Sequence, residues 1–327
     1  MRKGLILTAL LLCIGAGLTA QYIYNPNSTP NAGGANSWPF GSYTEWRYQF
    51  IITNTVMGNA PIKIVDIAFA PSSTRTYTAK QFQMRMGHTT FTQYTPYDNN
   101  PNVDYQTILG PCPTIVYDGP LSWSCTGAQW SDIGLQRSFA YDGKRNIAVD
   151  IRFTGGSAGV TTYTDSSINR AYVSTQRTPN PYNATKWWVP IYGENMGMRH
   201  RLTVDRRCFL LASDTVQLGQ VAYITINNGP AADLYQMAAS LGQDPLPLGP
   251  CTIFLTLDSV FWSSILVGPP VFNYYSGTLS AAGGAGAKLV IPNINVLVGV
   301  CVYHAAVAYN KGGITCCTNT DGTLIIP

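Results

Sequence analysis

The sequence predicts an all-β protein made of β-sandwich domains, and three observations carry that expectation. Apolar residues recur at every second position in segment after segment, as with Trp46, Tyr48 and Phe50, the period of a half-buried strand. No stretch of twelve residues in the first half keeps apolar positions at helical spacing. Glutamate occurs only at Glu45 and Glu194, whereas glycine and tyrosine number 31 and 20, a composition poor in helix formers and rich in strand and turn residues.

The first twenty residues stand apart from the fold. Arg2 and Lys3 precede the apolar run from Leu5 to Leu12, and small residues lead to Ala20, so residues 1–20 read as a secretory signal peptide. Cys13 follows Leu12, which is not the small residue that a lipid-anchor site needs in that place. No later run of about eighteen apolar residues appears. The expected mature chain therefore starts at Gln21, is secreted or displayed at the cell surface, and inserts into no membrane. Removing Arg2 and Lys3 from the 20 basic residues leaves 18 against 16 acidic ones, a balance that offers nucleic acid no electrostatic footprint. Charged residues make up 11% of the chain, so little like-charge repulsion opposes association of copies, although secreted β proteins are often low in charge for other reasons.

Residues 21–41, dense in Asn, Pro, Gly and Ser, read as an extended arm. Strands are then expected at Trp46 to Phe50, at Ile62 to Phe69, and where Phe82, Met84 and Met86 alternate with polar residues. In that last strand Met86 is the expected end, Gly87 supplies the turn, and His88 sits at the loop mouth in a structural role. Further strands are expected at Thr114 to Tyr117, Trp130 to Leu135, Asn146 to Phe153, and Ala171 to Thr175. Tyr141, Asp142, Gly143 and Asn146 suit a turn, with the Asp accepting backbone hydrogen bonds and the Gly taking positive φ. A boundary is expected near Asp205. Beyond it CFLLA, VAYITINN, CTIFLTLD, KLVIPNI, VLVGVCVYHAAVAY and TLIIP read as strands, and residues 231–241 as one or two helical turns. The reading as a whole is two β-sandwich domains, of jelly-roll or immunoglobulin-like type, over residues 42–204 and 205–327.

Seven cysteines remain after removal of the leader, and in an oxidising compartment they are expected to form bridges. Cys112 and Cys125, the pair in the first half, flank an expected hairpin containing Trp123 and are assigned to each other. Cys208, Cys251, Cys301, Cys316 and Cys317 then leave one thiol over, and adjacent Cys316 and Cys317 are poorly placed to join each other.

IVDIAFAP, FQMRMGHTT, GPCPTIVYDG and WSDIGLQRSFAYDGKRNIAVDIRF together resemble a β-sandwich module of large secreted and surface-exposed bacterial proteins, marked by an MGHT turn and an aromatic-x-Asp-Gly-x-x-Asn hairpin. This resemblance covers roughly residues 45–155. LGPCTIFLTLD, KLVIPNI, VCVYHAAVAY and TNTDGTLII resemble a C-terminal immunoglobulin-like module. The resemblance implies a scaffold of adhesive role and supplies no catalytic set.

Candidate chemistry is sparse. Asp98, Asn100, Asn102 and Asp104 alternate at oxygen-ligand spacing for calcium, the one cofactor suggested, or else form an Asn-rich turn. Trp187 and Trp188 are adjacent, so on a strand they face opposite ways, one toward an interdomain seam and the other toward a glycan or a neighbour, or else both are buried at the seam. Glu45 and Glu194 are the carboxyl pair that a glycoside hydrolase would need, but neither lies in a motif. Asn27 and Asn183 begin glycosylation sequons. The expected function is that of a secreted structural or adhesive protein, a non-enzyme that self-associates into a filament or tube or binds other surface components. A carbohydrate-binding module is the alternative, and a glycoside hydrolase comes third.

Overall fold

The computed structural model describes residues 21–37, 39–42, 44–93, 105–157, 159–174 and 195–327. Within them the chain is all-β, as the alternating pattern requires. A seven-stranded sheet runs in the order Asn195–Met198, Thr162–Ser174, Trp46–Ile52, Asn146–Thr154, Arg75–Thr89 and Thr114–Cys125, with Ala35–Asn36 beside Thr162–Ser174. A five-stranded sheet orders Gln21–Asn25, His200–Asp205, Ile62–Phe69 and Ser131–Asp132, with Phe139–Tyr141 also on Ile62–Phe69. Side chains of both sheets meet in one apolar cluster that includes Trp46, Phe50, Phe69, Trp123, Phe153 and Leu202. Burying aromatic rings of this size from two facing sheets supplies most of the driving force for the sandwich.

The remaining residues form a second layered unit. Phe209–Ala212, Val221–Asn227, Ala285–Val290 and Phe272–Asn273 make one sheet. Thr215–Gln217, Asp321–Ile326, Cys301–Asn310, Leu234–Ser240 and Ser276–Thr278 make the other, with Gly313–Cys317 added to Cys301–Asn310. Their shared cluster contains Leu210, Ile224, Met237, Leu289, Val302 and Ile325. The first cluster draws on residues up to Val204 and the second on residues from Leu210. Among the described residues no helix is long and apolar enough to cross a membrane.

Several expectations are corrected. The start of the arm is itself a strand: Gln21–Asn25 pairs antiparallel with His200–Asp205 of the same chain, Gln21 opposite Val204 and Asn25 opposite His200. Its periodicity was too short to read against so many turn residues. The MGHT segment is not a turn, because Arg75–Thr89 continues through Gly87 and His88 in register with Ala148 and Ile147. Gly87 is needed for close approach instead, since a Cβ there would collide with the Leu109 carbonyl. Residues 231–241 hold the strand Leu234–Ser240 and no helix, and of Trp130 to Leu135 only Ser131–Asp132 pairs. A helix unforeseen from periodicity lies at Ser259–Leu266. It starts where Asp258 caps it by accepting from the Phe261 N–H, and it is pinned to Leu234–Ser240 by the Ala239 N–H donating to Ser264 Oγ at 3.0 Å.

The disulfide assignment is also overturned. Thr114–Cys125 is one continuous strand of 12 residues rather than a hairpin. At about 3.3 Å per residue its ends lie on the order of 40 Å apart, whereas bridged Cα atoms must approach within about 7 Å. Cys112 pairs instead with Cys301, and Cys125 stays a free, buried thiol whose pKa burial pushes up to about 12. Cys208 pairs with Cys316 and Cys251 with Cys317, with Cα separations of 6.4 and 6.3 Å. Neighbouring residues of a strand project to opposite faces, which is why adjacent Cys316 and Cys317 reach different partners and pack against different apolar clusters.

Candidate functional site

A cluster of polar and charged side chains lies where the two cores meet. The Asp142 turn builds one side of this seam as expected: Gly143 takes φ +77°, and Asp142 Oδ1 accepts from the N–H groups of Lys144 and Arg145 at 2.8 and 3.1 Å. Tyr141 is fully buried and donates its hydroxyl to the Gly58 carbonyl, anchoring the turn to the sheet. Arg145 then reaches back to Asp142 Oδ2 at 2.7 Å and across to Asp214 of the second unit, donating from Nη2 to Oδ1 at 2.9 Å. His88, 7% exposed, lies between them with Nδ1 3.8 Å from Asp214 and Nε2 3.9 Å from Asp142.

Burial decides the charge of His88. Desolvation and the Arg145 guanidinium together pull its pKa down to about 4 against the opposing pull of Asp321 and Asp142, so at neutral pH the ring is uncharged and Nε2 accepts from the Asp142 N–H at 3.3 Å. Asp321 is buried and its pKa is raised by desolvation, while its carboxylate oxygens accept from the N–H groups of Ala212 and Gly322. Burial also pushes Asp142 up, but the neighbouring His88 imidazole, followed by its bonds with Arg145 and the Lys144 N–H, leaves it held down at about 2. The Cys112–Cys301 bridge closes the same seam, beside Gly322, where a Cβ would come within 2.8 Å of the Cys112 Cβ. Farther along, the Arg137 guanidinium stacks on Phe254 at 4.4 Å.

A cleft of about 440 Å³ opens elsewhere on this junction, lined among others by Lys63, Asp205, Arg207, Asn228 and Thr315. Lys63 Nζ stands 3.6 Å from Asp205 and donates to the Cys208 carbonyl, and Arg207 donates to Asp205 Oδ1 at 3.0 Å. One carboxylate thus serves two cations. The set can orient a polar ligand, but it holds no second carboxylate for acid–base hydrolysis.

Of the residues proposed from sequence, Asp98, Asn100, Asn102, Asp104, Trp187, Trp188, Asn183 and Glu194 lie outside the described residues. Glu45 is half-buried. Asn27 is exposed, its Oδ1 accepting from the Thr29 N–H and from Arg199. Among the described residues no group of three or more His, Cys, Asp or Glu side chains is arranged to hold a metal ion. Asp214 carried no sequence signal for the seam, because Arg145 and His88 lie 69 or more residues away, and Asp321 reaches Ala212 across 109 residues.

The three histidines make stability acid-sensitive. Burial holds His88 and His200 at about 4 and His304 at about 3, below the 6.5 of an ordinary histidine. The unfolded chain therefore takes up protons that the folded chain refuses as pH falls below about 6.5, and each group costs up to about 1.4 kcal/mol per pH unit in that window. Asp321, with its raised pKa, opposes this near the carboxylate range; Asp142 and Asp150, with lowered ones, reinforce it there. Urea midpoints measured from pH 7 to pH 4.5 are expected to fall steadily, and a level profile would count against neutral buried histidines.

No family model matches the sequence, and no curated protein matches it. Among solved structures the chain is similar to Faecalibacterium prausnitzii Beta-glucuronidase, at a TM-score of 0.20 and 9% identity over 87% of this chain and 38% of that one. A likeness that slight carries no argument about activity.

Proposed function

We propose that this is a secreted extracellular structural or adhesive protein in which the two β-cores serve as one stiff unit that associates with further copies of itself. The observation that carries the reading is the seam: a disulfide joining residues 189 positions apart, a buried His88 and the Asp142–Arg145–Asp214 ion cluster hold both cores together. Disulfides persist outside the reducing cytosol, and three of them fit a protein exposed to that environment.

Support for self-association comes from the helix Ser259–Leu266. Its inner face buries Phe261 and Ser264, while Trp262, Ile265 and Leu266 occupy positions i, i+3 and i+4 on the outer face, 49%, 36% and 74% exposed. Leu257, Val267 and Leu241 extend the patch; the Leu241 N–H donates to Asp258, which places it at the start of the helix. An apolar row of this kind on a weakly charged surface suits a second copy of the chain, where the same patches can meet. Sedimentation velocity and negative-stain electron microscopy of the mature protein are expected to reveal concentration-dependent assembly that Leu266→Glu weakens at least tenfold. Monodisperse monomers at millimolar concentration would refute the assembly reading.

A further inference from the structure

The first strand creates a second surface on the opposite end of the sequence. In QYIYN, Tyr22 and Tyr24 are two residues apart and project to one side, while Ile23 between them packs on the core. Pairing with His200–Asp205 sets Tyr24 opposite Arg201, and Arg201 in turn lies opposite Ala68, which lies opposite Asp132. Tyr22, Tyr24, Arg201 and Asp132 therefore share the outer face of the five-stranded sheet. Trp130 joins them: its ring centroid is 5.8 Å from that of Tyr24, and Tyr24 is 6.1 Å from Tyr22.

The polar groups are arranged around these rings. Arg201 places its guanidinium 4.4 Å from the Tyr22 centroid and donates through Nη2 to both oxygens of Asp132 at 2.6 and 2.7 Å. Its Nε is buried and has no acceptor. Asp132 remains 45% exposed in its side chain and Tyr22 45% exposed overall, so one carboxylate edge and much of one ring face solvent. Trp130 is half-buried and fixed by donation from Nε1 to the Ser28 carbonyl at 3.1 Å. These rings are held in place before any ligand arrives, which lowers the entropic cost of binding.

We infer that Tyr22, Tyr24, Trp130, Arg201 and Asp132 form a binding platform for a neutral glycan. The flat C–H face of a pyranose stacks on the aromatic rings, and sugar hydroxyls donate to the exposed edge of Asp132, which Arg201 holds in place from behind. The class is not acidic because Asp132 already balances the charge of Arg201 and Asp66, opposite Thr203 on the same face, adds a further carboxyl, so no surplus positive charge attracts an acidic sugar. A plain structural role, pinning an edge strand with aromatic contacts, accounts for Tyr24 and Trp130 but not for a Tyr22 ring left 45% exposed beside a carboxylate that is itself 45% exposed. The inference goes beyond the self-association proposed above and uses a different surface, so either can fail alone.

The mature protein is tested on an array of neutral and acidic oligosaccharides, followed by calorimetric titration with the neutral hexasaccharide that gives the strongest signal. Expected results are saturable binding of a neutral glycan, a tenfold or greater loss of affinity for Tyr22→Ala and for Trp130→Ala, and retained binding for Tyr22→Phe, with thermal unfolding of each variant compared to the parent. Tyr22 is exposed enough for its replacement to leave the fold intact, which guards against a trivial loss at Trp130. Binding of no neutral glycan, a preference for acidic ones, or undiminished affinity in Tyr22→Ala overturns the inference.

Discussion

Asp150→Asn is expected to destabilise the protein by about 3–5 kcal/mol, the cost of leaving buried cations without their counter-ion. Asp150 is fully buried in the central strand Asn146–Thr154, directly opposite Gln49 on one neighbour and Arg85 on the other. Arg47 donates from Nε to Oδ1 at 2.9 Å, Arg85 donates from Nε and Nη2 to Oδ2 at 3.1 and 2.7 Å, and Arg152 stands 3.7 Å from Oδ2. Burial pushes the Asp150 pKa up, but these three guanidinium groups outweigh it and hold the carboxyl below its usual range. The amide of Asn has nearly the same shape and no charge, so the change isolates the electrostatic contribution. Because the folded pKa is lowered, this contribution is fully present above the ordinary carboxylate range and disappears as pH falls through the folded value. Urea unfolding at pH 7 should separate variant from parent, and the gap should narrow on acidification. A difference under about 1 kcal/mol at pH 7 would mean that the cluster is tolerated rather than stabilising.

The double substitution Cys112→Ser, Cys301→Ser is expected to split thermal unfolding into two transitions. The bridge closes a separation of 189 residues, and the chain-entropy argument assigns to a loop of that length about 5 kcal/mol, an upper value because native strain and residual structure in the unfolded chain reduce it. Without it the two apolar clusters remain joined by the connection around Asp205 to Phe209 and by polar contacts such as Arg145 with Asp214. Polar contacts that are a quarter exposed are weak couplers. Changing both cysteines avoids a stray thiol. Scanning calorimetry is the measurement; one undivided transition at the parental midpoint would show that the non-covalent contacts of the seam, not the bridge, unite the cores.

Legibility followed the range of the forces involved. Alternation at Trp46, Tyr48 and Phe50, and in VAYITIN, was enough to place strands, because the apolar core takes every second side chain of a strand; in Trp46–Ile52 the polar Arg47 and Gln49 on the other face are buried as well. The Tyr141–Asn146 turn was equally readable, since its hydrogen bonds close within two or three residues. Gly87 misled for the complementary reason: glycine serves both turns and close approaches, and the Leu109 carbonyl that demands it here is 22 positions away. The same limit applied to the helix at Ser259–Leu266, whose outer apolar face hides the usual contrast between a wet and a dry side.

The sequence by itself determined the all-β class and the turn at Tyr141 to Asn146, both of which depend on side-chain spacing along one segment. Only the tertiary structure decided that Cys112 joins Cys301, that Gln21–Asn25 closes a sheet edge, and that His88 meets Asp214 across a seam. Those outcomes depend on which distant segments the cores bring together, and pairwise contact over a hundred or more residues leaves no periodic trace in the order of the amino acids.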